Sequence, residues 1–63
     1  MDEDHLIGLL PATYAVAVRL RRAGASDATI AVAAAVDDTA VASLLQLADA
    51  KLRALREAQE APS

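Results

Sequence analysis

The side chains of this sequence that could carry out chemistry are few and scattered. The only histidine, His5, follows three carboxylates in the opening residues MDEDH, and a metal ion could use it together with Asp2, Glu3 and Asp4. A single histidine in an acidic terminal segment is a weak donor set, so we expect no metal and no cofactor. The sequence contains no cysteine, which removes thiolate ligands, thiol nucleophiles and disulfide bonds.

A nucleophile and its base cannot be assembled from these residues. Nucleophilic catalysis needs a base within hydrogen-bond reach of the attacking group, and the only imidazole lies in the terminal segment. The carboxylates fall mostly at expected helix starts and on exposed faces, and there is no glycine-rich phosphate loop. We therefore expect that the protein is not an enzyme and has no small-molecule substrate.

Basic side chains form two groups that could contact phosphates, namely Arg19, Arg21 and Arg22, and then Lys51, Arg53 and Arg56. The net charge is −3, whereas a DNA-binding protein draws most of its non-specific affinity from cationic groups. The first group is better interpreted as partners of a helix C-terminus and the second as an ordinary solvated helix face. DNA contact remains the alternative for both.

Glycine and proline are sparse, two of each, and they delimit the elements that must position these groups. Pro11 can begin a helix over residues 11–23, and Gly24 can end that helix in the left-handed conformation. The acidic segment before it, residues 1–9, is expected to form a short turn or helix, with its carboxylates near the positive end of the dipole.

Two further helices are expected in the second half of the chain. Ser26 can cap a short helix over residues 27–35, and Asp37 can cap a long helix over residues 38–58. The exposed side of the long helix is predicted to carry two opposite-charge pairs four residues apart, Asp49 with Arg53 and Arg56 with Glu60.

These elements predict an all-α fold with a three-helix, helix-turn-helix core and a possible extra N-terminal helix. The domain would cover residues 10–58, after the acidic segment 1–9 and before a frayed tail over 59–63. Because 63 residues with Tyr14 as the only aromatic supply a thin core, we expect a homo-oligomer, with a dimer favoured. No apolar run nears the roughly 20 residues of a membrane span, and the N-terminus is acidic, so no membrane contact and a cytoplasmic location are expected.

The long helix carries two apolar stripes. One should be buried in the domain because its members recur at steps of four and three residues: Val41, Leu45, Ala48, Leu52 and Leu55. Leu44 and Leu47 lie to one side of that stripe. Ala54 extends their side of the helix, and Lys51 interrupts it between Leu47 and Ala54. Either the N-terminal HLIGLL folds back over the two leucines, or another chain covers them, and we favour the second interpretation.

A wider pattern covers roughly residues 10–55. Its members are Leu10–Pro11, Leu20 before Gly24, the segment GASDATIA at 24–31, Val36 followed by two aspartates, and then Val41, Ser43, Leu45, Ala48 and Leu52. This pattern resembles region 4 of the sigma-70 family of RNA polymerase sigma factors and the related LuxR-type DNA-binding domains. The resemblance implies a helix-turn-helix fold and a role in transcription.

In that family the helix after the cap enters the major groove and reads the promoter −35 element with polar or basic side chains. The resemblance places the reading positions of this chain at Ala40, Ala42, Leu44 and Leu47. Polar side chains near that face are limited to Thr39, Ser43 and Gln46, and Ala35 stands where the turn residue is usually glycine. The chain therefore departs from the family where DNA would be contacted.

The hypothesis that follows is a non-enzymatic, transcription-associated module that acts through protein–protein contact, with a second copy or a protein of the transcription machinery. Its predicted contact residues are Val41, Leu44, Leu47, Ala48, Lys51 and Ala54. The alternatives are a structural accessory oligomer unrelated to transcription, or a genuine DNA-binding regulator. The DNA-binding alternative would use Arg21, Arg22, Thr39, Ser43, Gln46 and Arg53.

Overall fold

The structure of the chain, a computed structural model, describes residues 3–60. Its helices, in chain order, are α1 (Glu3–Gly8), α2 (Ala12–Arg22), α3 (Asp27–Ala34) and α4 (Val41–Glu60), and a single 3-10 turn over Asp38–Ala40 leads into α4. The described residues contain no strand, so the predicted all-α fold is confirmed. Of the expected frayed tail, residues 59 and 60 are still helical, and 61–63 lie outside the described residues.

The end of α2 follows the prediction made for Gly24. This residue has a φ of 89°, which costs glycine little because it has no Cβ. The Gly24 amide donates to the Arg21 carbonyl at 3.0 Å, and the Ala25 amide reaches back to the Leu20 carbonyl at 2.9 Å. These two bonds satisfy carbonyls that the end of a helix would otherwise leave without donors.

The two predicted caps in the second half of the chain have different outcomes. The Ser26 hydroxyl accepts a hydrogen bond from the Thr29 amide at 3.2 Å, as the capping prediction requires. The prediction for Asp37 is wrong in its chemistry: the backbone of Asp37 has the extended conformation of a cap, but its side chain makes no capping hydrogen bond. Because a 3-10 turn begins here, the Ala40 amide bonds to the backbone carbonyl of Asp37 instead, at 2.9 Å.

The turn between α3 and α4 has an alanine in a glycine-like conformation. Ala35 has φ 58° and ψ 44°, in the left-handed region, and the Val36 amide reaches back to the Ala31 carbonyl at 3.0 Å. An L-residue with a Cβ pays roughly 1–2 kcal/mol to adopt this conformation. The sequence departs from the usual glycine here, but the backbone keeps the geometry that favours glycine.

Ala35→Gly is therefore expected to raise the free energy of unfolding by about 1 kcal/mol, because it removes the left-handed strain. The matched control is Ala33→Gly, in the last turn of α3, which should lower the same quantity by roughly 0.5–1 kcal/mol. Urea denaturation followed by circular dichroism measures both. A loss of stability in Ala35→Gly would contradict the prediction.

The core consists of two clusters that share α2 and α4. In the first, which we name the α1 cluster, the buried side chains are Leu6, Ile7, Leu10, Ala15, Val18, Ala48 and Leu52. In the second, the α3 cluster, they are Ala17, Ile30, Ala31 and Val41. The N-terminal segment that was expected to precede the domain therefore contributes two of its own side chains to the core.

These clusters place the helices around α4. Helix α1 packs in the groove between α2 and α4, and α3 packs against α2 and the start of α4. Three residues separate α3 from the 3-10 turn, and α3 meets the continuous segment Asp38–Glu60 at 99°.

Along residues 3–60, no one helix has the length and apolar composition to cross a membrane, and α3 with Asp38–Glu60 meets that test only when the two bent segments are taken together.

Candidate protein-contact face

The stripe of α4 predicted to face the domain interior does so. Val41, Ala48 and Leu52 are buried, and Leu45 and Leu55 are half-buried against the two clusters. Val41 and Ala48 were also predicted to contact a partner chain, and that part of the prediction needs correction. Both have no exposed surface because α2 and its neighbours already cover them, so neither side chain can touch another molecule.

The two leucines whose covering was left open have different environments. Leu44 is half-buried and packs against the α3 cluster, so its own chain covers most of it. Leu47 keeps 53% of its surface exposed. The N-terminal segment folds back onto α4, but it reaches the level of Ala48 and Leu52 on the other stripe. Of the two leucines, Leu47 is the one that remains uncovered.

Leu47 belongs to a longer apolar face. Leu47, Lys51 and Ala54 follow one another at spacings of four and three residues, which places them on one side of α4. Lys51 and Ala54 also line a shallow groove of about 330 Å³, whose other walls are Leu9, Leu10, Pro11 and Leu55. Leu9 is 53% exposed. We name Leu9, Leu47, Lys51 and Ala54 the contact face.

Sequence reasoning missed Leu9, although the sequence contains a signal for it. Gly8 ends α1, and the two leucines that follow it precede Pro11. Adjacent residues in such a short connection point in different directions, so only one of the two can enter the core. Leu10 enters the α1 cluster, and Leu9 is left at the surface beside the groove.

Lys51 is the only charged member of the contact face. Its ammonium nitrogen lies 5.4 Å from the centroid of the Tyr14 ring, a distance at which the ring face attracts a cation. The charge is thus drawn toward α2, and the four-carbon stem of Lys51 can contribute apolar surface to the face. The contact face is consequently more apolar than the sequence of α4 indicates.

The arginines that were candidates for DNA contact are paired with carboxylates. Arg21 bonds to Asp27 and to the Ala25 carbonyl, and Arg22 bonds to Glu3. Arg53 pairs with Asp49 at 3.1 Å, as the four-residue spacing predicts. A phosphate would have to compete with a carboxylate at each of these three guanidinium groups.

The polar candidates for base contact lie at the start of α4. Thr39 is in the 3-10 turn, and Ser43 and Gln46 are in the first turns of the helix, all three exposed. The 3-10 turn continues into α4, and spacings of four and three residues bring the three side chains near one another. The arginines of α2 approach α4 at a different place, where Arg21 and Arg22 line a shallow pocket with Leu45 and Asp49.

Glu3 links three helices. Its Oε1 accepts hydrogen bonds from Arg22 of α2 and from Arg56 of α4, the second at 2.8 Å. Arg56 therefore pairs with Glu3, in place of the predicted Glu60, because α1 brings a carboxylate within its reach. The Arg22 hydrogen bond is the main cause that holds the pKa of Glu3 below its ordinary value of 4.5, and the charges of Arg22 and Arg56 add to it against the opposing effect of burial.

A glutamine at position 3 should reveal this linkage through its pH dependence. Glu3→Gln is expected to lower the thermal midpoint modestly at pH 7, where Glu3 is ionised in both folded and unfolded chains. The contribution of a carboxylate with a lowered pKa is complete above its unfolded value and is lost as the pH falls through the folded value. The difference in midpoint between the two proteins should therefore shrink below pH 4.5 and then vanish.

Thermal melts monitored by circular dichroism from pH 7 downward provide this comparison. The control is Glu57→Gln on the exposed side of α4, since Glu57 makes no ion pair within residues 3–60. A midpoint difference for Glu3→Gln that stays constant through acid pH would show that the ion pairs do not stabilise the fold.

Residues 3–60 contain no cluster of three or more carboxylate, imidazole or thiolate side chains that could hold a metal ion, and Asp2 of the predicted acidic group lies outside this range. The chemistry that the arrangement supports is contact between apolar surfaces.

Comparison with known proteins found no matching family model, no matching curated protein and no matching solved structure.

Proposed function

We propose that this chain is a non-enzymatic protein-contact module that self-associates through the contact face, and that it works in transcription as its sigma-like pattern implies. The observation that carries the proposal is Leu47, which stays half exposed at a position where a DNA reader would carry a polar or basic side chain. Exposed leucines grouped on one face usually mark a site of protein contact.

The geometry of the second half supports the resemblance on which the transcription role rests. Helix-turn-helix pairs cross at about 90–120° through a turn of three or four residues. Here the connection from α3 has three residues, and the crossing angle is 99°. A left-handed residue in the turn, Ala35, adds to the similarity.

Charge favours a protein partner over DNA. The net charge is −3, and the three arginines predicted as DNA contacts, Arg21, Arg22 and Arg53, already pair with carboxylates. Binding DNA would mean breaking these pairs without many other cations to gain counterion release. An apolar partner surface requires no such exchange.

A second copy of the chain is the simplest occupant of the contact face. Two-fold pairing places the same patch on both sides of the interface, so an apolar face meets an apolar face. A domain of this size with a thin core also gains stability from burying surface against a partner. Lys51 of each copy keeps its charge beside its own Tyr14, where the ring attracts the ammonium group.

Light scattering after size exclusion, over a concentration series, tests the self-association. The full chain is expected to reach the mass of a dimer, and Leu47→Asp is expected to weaken dimerisation by about a hundredfold, because it places a charge in an apolar interface. The matched control is Val32→Asp, since Val32 is 82% exposed on the outer side of α3, away from the contact face. A monomeric full chain, or a dimer that only the Val32 variant disrupts, would refute the proposal.

DNA binding is the second candidate, because Thr39, Ser43 and Gln46 are exposed together at the start of α4. Fluorescence anisotropy with a labelled duplex at low salt distinguishes it. A DNA-binding protein would show affinity that falls steeply with added salt and weakens further in Arg53→Glu. We expect no saturable binding.

A further inference from the structure

Cations of α2 and α4 lie at both ends of helix α1. At its start, Glu3 receives hydrogen bonds from Arg22 and Arg56. At its end, the Arg19 guanidinium lies close to Gly8, since a Cβ added there would stand 3.8 Å from Arg19 Nη2. A cation at that position also suits the negative end of the α1 dipole.

The groove under α1 is an apolar recognition site for this segment. Its floor is formed by Ala15 and Val18 of α2 and by Ala48 and Leu52 of α4, all buried. Leu6 and Ile7 fill it, and Leu10 closes one end. The apolar groove and the two arginines beside it, Arg22 and Arg56, fit a short helix of one pattern. That helix has a carboxylate in its first turn and two adjacent apolar residues three and four positions later.

The connection between α1 and α2 has the features of a hinge. It comprises only Leu9, Leu10 and Pro11, and the proline is extended, with φ −51° and ψ 148°. Two backbone hydrogen bonds fold α1 back, from the Leu9 amide to the Leu6 carbonyl and from the Leu10 amide to the Ile7 carbonyl, both 3.0 Å. The residue before a proline favours extended backbone, so opening this turn suits Leu10.

We propose that the chain dimerises by exchanging α1, so that the α1 of each copy occupies the groove between α2 and α4 of the other. The inference rests on the proposed self-association and specifies its architecture. The apolar contacts of α1 with α2 and α4 are kept in the exchanged dimer, and only the two turn hydrogen bonds of the hinge must open, which makes exchange a low-cost route to association.

The contact face explains why the exchanged dimer would be favoured over the closed chain. Three extended residues span about 10 Å, so the parts of the two copies formed by α2, α3 and α4 must touch beside the hinge. The surface at that place is the groove lined by Leu9, Pro11, Ala54 and Leu55, which the single chain leaves open to solvent. Exchange therefore buries the half-exposed Leu9 in a new apolar interface, and this burial offsets the loss of the two turn hydrogen bonds at the hinge.

We name the contacts of Glu3 with Arg22 and Arg56 the α1 clamp. Reversing its charges distinguishes a dimer that exchanges α1 from a dimer that docks without exchange. One variant carries Glu3→Arg, and the other carries Arg22→Glu with Arg56→Glu, so each alone places like charges at the clamp. In an exchanged heterodimer of the two variants, both clamps combine opposite charges again. In a docked dimer without exchange, every clamp stays mismatched whichever partner is present.

The two variants are unfolded together, refolded as a mixture and examined by native mass spectrometry and thermal melting. Exchange predicts a roughly tenfold excess of heterodimer over homodimers and a higher midpoint for the mixture than for either variant alone. The control mixture combines Asp49→Arg with Arg53→Asp, a pair within α4 that exchange of α1 cannot restore. That mixture should give the statistical distribution of dimers.

The outcomes separate this inference from the proposed function. A wild-type chain that dimerises, with clamp variants that mix statistically and show no gain in midpoint, would overturn exchange and leave self-association standing. A chain that remains monomeric at every concentration would overturn both. Heterodimer preference in the clamp mixture alone, and not in the control mixture, supports exchange.

Discussion

Ile30→Ala is expected to lower the free energy of unfolding by about 3 kcal/mol, because Ile30 is completely buried where α3 meets α2 and the start of α4. The neighbours Ala17 and Ala31 are too small to fill the space that the truncated side chain leaves. A chain of this length has a total stability of roughly 3–9 kcal/mol. The variant should therefore lose between about a third and nearly all of the stability of the fold.

Urea denaturation followed by circular dichroism checks this value. The matched control is Val32→Ala, two residues later on the same helix, where 82% of the side chain is exposed and the change should stay within about 0.5 kcal/mol. Equal effects of the two substitutions would contradict the packing of α3 described above. A larger effect at Val32 would mean that its face of α3 is the one facing the core.

Ile7→Ala is expected to cost a similar amount, about 3 kcal/mol, although it lies in a helix of six residues. Such a short helix has almost no stability alone, so the effect must come from the contacts of Ile7 with α2 and α4 in the α1 cluster. The measurement also tests whether the N-terminal segment belongs to the domain, since a dispensable segment would tolerate the change.

The control for Ile7 is Leu9→Ala, two residues away and half exposed. Both variants are measured at one low protein concentration, because association would add a concentration-dependent contribution to stability. Leu9→Ala should then change the free energy of unfolding by less than about 1 kcal/mol. A loss below that limit for Ile7→Ala would mean that α1 is not docked as described.

Local patterns in the sequence were enough to predict most of the fold. The buried stripe of α4 follows the helical period, the Ser26 cap is a contact three residues apart, and Gly24 ends α2 within one turn. All three depend on interactions between residues near one another in the chain. The Asp49–Arg53 pair belongs to the same class and was predicted for the same reason.

Long-range packing decided what the sequence could not predict. Arg56 was assigned to Glu60 because both lie on α4, yet α1 delivers Glu3 to it from 53 residues away. Leu44 and Leu47 looked equivalent until the α3 cluster covered only the first of them. Val41 and Ala48 were predicted both for the buried stripe and for the partner contact, and their complete burial is compatible only with the first.

The candidate site was therefore predicted in part. Leu47, Lys51 and Ala54 were recognised from spacing on one helix, and they are exposed along one side of α4. Leu9 was missed, because its place beside Ala54 depends on how α1 folds back onto α4. Its position at the hinge links the surface proposed for self-association to the segment proposed for exchange.

The most direct test of self-association through the contact face is a dilution series followed by two-dimensional amide NMR of the full chain. On dilution from the concentrated sample, the amides that shift should group around Leu9, Leu47, Lys51 and Ala54. Shifts grouped on the outer side of α3 around Val32, or no shifts across the whole range, would contradict the account.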